Sequence, residues 1–179
     1  MQTSTTATDR PSGTAARDTA RKPRVREIGL PRRARALSTL PRLDYTDGCR
    51  MHTEQARELT AEEWARALLE QAPAGTRRDL RRGWRALGVR LGPADDPSLV
   101  LGWEVRQSAE DHVVLGVRSW LGIEAEVLCL REPDTLVVGT LVQLDNPLAR
   151  VVWACIEGHH RKVVRHLVRR AGERVATRA

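Results

Sequence analysis

The chain has 179 residues, 41% of them apolar, and a formal charge of +7. That length suits one domain with its own core plus a tail. The charge argues less for a nucleic-acid partner than its size suggests: residues 1–42 hold ten Arg or Lys against three Asp or Glu, whereas residues 43–179 hold twenty of each sign.

The body is therefore formally neutral, and a nucleic-acid partner is not expected for it. Arg outnumbers Lys 28 to 2. Both residues bind phosphate, so that bias reads as coding composition rather than a binding adaptation. Three cysteines, Cys49, Cys129 and Cys155, stand far apart. They suit neither a disulfide framework nor a zinc site, and a reducing, cytoplasmic setting is expected. No apolar run reaches the roughly 18–20 residues of a membrane-spanning helix. The N-terminus has no apolar segment of the secretory kind. With no Phe, the five Trp must supply most of the aromatic bulk.

Residues 1–42 are rich in Thr, Ser, Ala, Arg and Pro without periodicity, and are expected to form a disordered basic tail. Leu43–Thr53 alternates weakly and predicts a first strand. "TAEEWARALLEQAPAG" predicts a helix opened by a capping box, Thr60 with Glu63, and closed by Pro73 and Gly75. "TRRDLRRGWRALG" predicts a second helix, capped by Thr76 and ended by Gly88, with its Arg run facing water. After "GPADDP" the period changes. Leu99–Gln107, His112–Leu121, Ile123–Arg131 and Thr135–Leu144 read as strands. Their links are short, so neighbours must be antiparallel. Asn146 and Pro147 then open a long helix to about Ala171, with residues 172–179 as a C-terminal tail.

The order is strand, two helices, a four-stranded meander and a long helix, which is an α+β fold. A curved antiparallel meander gripping the last helix is the simplest arrangement. At the level of topology this resembles the helix-grip superfamily, also called START-like or SRPBCC. The strings "LPRLDYTDGCR", "VLGWEVR", "RSWLGIEAEV" and "LDNPLARVVWACIEGHHRKVV" resemble those of uncharacterised actinobacterial helix-grip proteins. The resemblance implies an apolar cavity between sheet and C-terminal helix over residues 43–171. It also implies a lipid-like or polyketide-like ligand, and in some members cyclase or hydratase chemistry.

The last helix carries three of the five histidines. At 100° per residue Val152, Ile156, Val163 and Leu167 share an apolar arc, and His159 and His160 lie about 50° to either side of its centre. Arg150, Glu157, Arg161, Arg165 and Arg169 fall opposite. Two metal ligands on one helix require a spacing of three or four. His159, His160 and His166 are one, six and seven apart, so no metal and no cofactor are expected. Cys155 and His159 share a face but have no evident third group for a nucleophilic site. Trp103, Trp120, Trp153, His159 and His160 are the expected cavity lining. Arg118 is a candidate anchor for a polar ligand group, and Glu104 a candidate carboxylate partner. Glu124 and Glu126 share one face of their strand and read as the solvated outside of the sheet.

Three functions follow as expectations. The first is a module that binds a small apolar ligand. The second is a cyclase-like or hydratase-like enzyme with His159 or His160 as acid/base, aided by Glu104. The third is an arm, residues 1–42, that binds nucleic acid or an anionic surface.

Overall fold

The structure, a computed structural model, describes residues 23–178. Strand β1 (Arg24–Ile28) and the short helix α1 (Arg32–Ala36) come first. Strand β2 (Tyr45–His52), a 3-10 turn at Glu54–Arg57, and helices α2 (Ala61–Leu69) and α3 (Ala74–Ala86) follow. Strands β3 (Leu99–Val100), β4 (Trp103–Ser108), β5 (His112–Arg118), β6 (Ile123–Arg131) and β7 (Thr135–Leu144) form the meander. Helix α4 (Pro147–Ala176) ends the fold. All strands join one open antiparallel sheet in the order β1-β2-β7-β6-β5-β4-β3. The first predicted strand thus lies beside the last, in full register from Tyr45 opposite Val142 to His52 opposite Thr135.

One face carries α2 and α4. Cys49, Met51, Val113, Leu115, Ile123, Leu136 and Val138 meet Trp64, Leu68, Trp153 and Val168 there. Trp64 is fully buried, and its indole N–H donates to the Ala56 carbonyl. The other face is also apolar, through Val114, Leu128, Leu130, Val137 and Leu141. The segment from Leu30 to Leu43 covers it, burying Leu30, Ala34 and Leu40. Gly48 and Gly139 are paired on this face, and Leu30 sits over them. A Cβ on Gly139 would lie 2.5 Å from Leu30 Cδ1, so the absent side chains make the seat.

That covering layer corrects the expected tail. Residues 23–42 are ordered: β1 pairs with β2, and Leu30, Ala34 and Leu40 are core. The physical reason is the second apolar face of the sheet, which needs a cover. The expected disorder and binding role of residues 1–22 lie outside the described residues. The charge assignment shifts too. Residues 1–22 hold four Arg or Lys and two Asp or Glu, while residues 23–42 hold six and one. Most of the excess charge therefore belongs to the folded layer.

Other boundaries move for local reasons. The Thr60–Glu63 capping box forms as expected. Pro73 is the N-cap of α3 rather than a stop for α2, and Thr76 lies inside α3. The predicted strand Leu99–Gln107 is broken by a tight turn, with Leu101 and Gly102 both at positive φ. Helix α4 runs past Ala171 to Ala176. Gly172 does not end it, because its bare Cα lets α4 approach Met51: a Cβ there would lie 2.4 Å from the sulfur.

Candidate functional site

Helix α4 starts where its sequence says. The Asn146 side chain accepts from the Ala149 N–H at 2.8 Å, and its amide nitrogen donates to the Leu121 carbonyl at 3.0 Å. The helix is thereby tied to the β5–β6 turn, which sets its rotation over the sheet. Its buried residues are Ala149, Trp153, Leu167, Val168, Ala171, Gly172 and Val175. At 100° per residue His160 lies about 35° from the centre of that stripe and His159 about 135° away. His160 therefore faces the sheet and His159 is exposed. The apolar arc had suggested that both face inward. It misled because Val152, Ile156 and Val163 are only half-buried, whereas Trp153, Val168 and Ala171, which the arc left out, carry the buried stripe.

Under α4, the inner face of β2 and β7 presents three polar side chains that composition did not mark. Tyr45 and Asp47 share this face of β2 with Cys49 and Met51, and Thr140 stands on β7. The Tyr45 hydroxyl donates to Asp47 Oδ2 at 2.8 Å. His160 Nε2 lies 3.0 Å from Thr140 Oγ1 and 3.5 Å from Asp47 Oδ2. Trp153 packs edge-on to Tyr45, with centroids 5.1 Å apart, and tilted to His160 at 5.3 Å. One cluster thus joins Tyr45, Asp47, Thr140, Trp153 and His160.

The electrostatics follow from burial. Burial holds the His160 imidazole below its ordinary pKa, with the Asp47 carboxylate opposing that shift and Arg161 and His159 adding to it. The ring is therefore neutral at neutral pH. Both atoms near Nε2 can accept, so the tautomer with hydrogen on Nε2 fits, leaving the basic lone pair on Nδ1. Burial and then the neighbouring Asp47 push the Tyr45 hydroxyl above its usual range, which keeps it a donor. Two polar atoms of the cluster are buried without a partner, Asp47 Oδ1 and Trp153 Nε1. Such atoms are rare in folded proteins, because each forfeits hydrogen bonds it had in water. The cluster still reaches solvent at its edge, since the His160 side chain keeps 24% exposure. Ile156, Val163 and Val164 beside it are only half-buried.

The other expected site residues lie elsewhere. Trp103 is buried, but it stacks edge-on against Trp84 of α3 at 5.3 Å. Trp120 is 69% exposed in the β5–β6 turn. The Arg118 and Glu104 side chains are exposed. Arg118 donates to Glu124 on the face opposite α4, so it is no neighbour of His160. Glu104 and His160 are likewise not brought together.

A buried Glu–Arg network lies instead on the face that was read as solvated, beneath the Leu30–Leu43 cover. Arg106 lies between Glu124 at 2.6 Å and Glu126 at 3.0 Å. Ser38 Oγ, Thr39 N and Thr39 Oγ1 also donate to Glu126. Glu126 is fully buried rather than solvated, because the cover brings these donors to it. A Cβ on Gly116 would lie 1.9 Å from Arg106 Nε, so the guanidinium fits only over a glycine. Every member is satisfied within the network, which marks it as structural.

Among the described residues no group of three or more His, Cys, Asp or Glu is placed to hold a metal ion, and no helix is long and apolar enough to cross a membrane. Compared with known protein families, with curated proteins and with solved structures, the chain has no significant match to any of them.

Proposed function

We propose that the protein is a small-molecule-binding domain of the helix-grip kind, which holds an apolar ligand bearing one hydroxyl group beside α4. The observation that carries this reading is the pair of unpartnered buried atoms, Asp47 Oδ1 and Trp153 Nε1. One is an acceptor and the other a donor, and a hydroxyl can satisfy both kinds. A carboxylate ligand is disfavoured, because it would meet the Asp47 charge. Trp153, Tyr45 and Ile156 offer the apolar surface for the rest of the molecule.

The test is a tryptophan-fluorescence titration with medium-chain alcohols and the carboxylates of the same chain length. Saturable binding of the alcohols is expected, weaker by roughly tenfold in Asp47→Asn and in Trp153→Phe, the loss of one hydrogen bond each. Equal binding of acids and alcohols, or none by either, overturns the reading. A second reading rests on the His160–Asp47 pair, a neutral imidazole beside a carboxylate at the rim of the same cluster. That pair can move a proton to or from a bound hydroxyl, as a hydratase or cyclase needs. Under it, His160→Gln abolishes turnover of a bound alcohol while leaving its binding in place.

A further inference from the structure

A second feature lies far along α4 from His160. An open groove of about 720 Å³ runs between the start of α3 and the last turns of α4. One wall carries Arg170 and Arg174 of α4 and Arg178 of the turn just past its end. A spacing of four keeps the Arg170 and Arg174 guanidiniums on one side of the helix. Pro73 and Thr76 form the opposite wall. His160 and Arg174 are about 21 Å apart along the helix axis at 1.5 Å per residue, so this groove is separate from the cluster under α4.

The charges of this groove are poorly matched. Arg174 Nη2 donates to the Ala67 carbonyl at 2.6 Å, and its Nε is buried with no partner. Arg178 donates to the neutral Gln71 side chain at 2.9 Å. Among the described residues neither makes an ion pair. Burial, then the cations Arg178 and Arg170, push the Arg174 guanidinium below its ordinary pKa. Glu173 is the lining acid, and it is paired with Arg170 at 3.1 Å.

The facing wall adds to the positive potential. Helix α3 has no side-chain cap and no acid in its first turn. The N–H groups of Ala74, Gly75 and Thr76 thus lack intrahelical acceptors, at the positive end of a 13-residue helix.

We propose that this groove binds a phosphate group, carried either by a small phosphomonoester or by a lipid headgroup. A single carboxylate needs one guanidinium fork, whereas Arg174, Arg178 and the α3 N–H groups offer donors from two walls, which suits a tetrahedral oxyanion.

The experiment measures binding of inorganic phosphate by calorimetry at neutral pH, with sodium chloride matched for ionic strength as control. It also measures co-sedimentation with phosphatidylcholine vesicles made with and without phosphatidic acid. Arg178→Gln and Arg174→Gln are each expected to weaken binding by roughly tenfold, the effect of one charge-assisted hydrogen bond. Arg174 also holds the Ala67 carbonyl, so a third variant, Thr76→Asp, guards against misfolding. It puts a carboxylate at the α3 N-terminus, which favours the helix and repels phosphate. It should keep or raise Tm and lose binding. Free phosphate bound and lost in these variants identifies a soluble ligand. Binding only to phosphatidic acid vesicles, lost in the same variants, identifies a headgroup. Binding that chloride reproduces, or that survives all three substitutions, overturns the proposal.

Discussion

The buried carboxylate of Glu126 is expected to hold the N-terminal cover on the sheet, and its removal gives a quantitative test. It accepts from Arg106 at 3.0 Å, from Ser38 at 2.6 Å, from the Thr39 N–H at 3.1 Å and from the Thr39 hydroxyl. Three of those four bonds come from the cover. Breaking a buried charged pair costs about 3–5 kcal/mol. The low end applies here, because Arg106 keeps Glu124 at 2.6 Å and is not left alone. Glu126→Ala should therefore cost about 3 kcal/mol, or roughly 6–12 °C in Tm for a chain of this size. Glu126→Gln keeps the shape and some acceptor capacity, and should cost about 2 kcal/mol. Urea unfolding measures the loss, and native-state hydrogen exchange locates it. Amides of residues 30–42 should exchange faster, while those of β6 and β7 quicken only to the new global limit. A loss under ~1 kcal/mol for the alanine variant, or protection of residues 30–42 left unchanged, refutes the idea that this network pins the cover.

Three further outcomes are expected. His160 has a folded-state pKa lowered by burial from 6.5. The unfolded chain therefore takes up its proton first, and stability present above pH 6.5 is lost as pH falls from there toward the folded value; His160→Gln should flatten that limb in a plot of unfolding free energy against pH. Burial raises the thiol pKa of Cys49 to about 11 and of Cys129 to about 12, whereas Cys155 is exposed. A disulfide reagent should label one thiol quickly in the native protein, and Cys155→Ser should remove that signal; fast reaction of two thiols would falsify the packing of β2 or β6. Gly88 has φ +71°, and a Cβ there would lie 2.5 Å from the Trp120 indole nitrogen. Gly88→Ala should cost about 1–2 kcal/mol and shift the near-UV dichroism of Trp120, and an unchanged Tm with unchanged dichroism would contradict that placement.

Much of the fold was legible in local patterns. The Thr60–Glu63 capping box, the Asn146–Pro147 start of α4, and strands Ile123–Arg131 and Thr135–Leu144 stand where their sequence places them. These signals are local, since a cap or an apolar run acts within a few residues. Strand β1 was missed because it is five residues of mixed charge, "RVREI", inside an Arg-rich stretch. A clue to the cover lay in β7. "TLVVGTLVQL" is apolar nearly throughout rather than at alternate positions, which implies burial on both faces.

The candidate site was less legible. Trp153 and His160 were among the expected residues, and both belong to the cluster. Tyr45, Asp47 and Thr140 were not, because a lone Asp in a short strand and a lone Thr in an apolar one carry no motif. Their meeting depends on the pairing of Asp47 with Thr140 across β2 and β7, nearly a hundred residues apart in sequence.

By itself, then, the sequence determined the α+β order, the antiparallel meander and the long last helix, because periodicity, caps and short links act locally. Tertiary structure decided which of two adjacent histidines faces the sheet, which acids are buried, and that residues 23–42 are a third layer. Those outcomes depend on how α4 is rotated by its anchor at Leu121 and on what covers the second sheet face. Both are contacts between distant segments, and no stretch of sequence contains them.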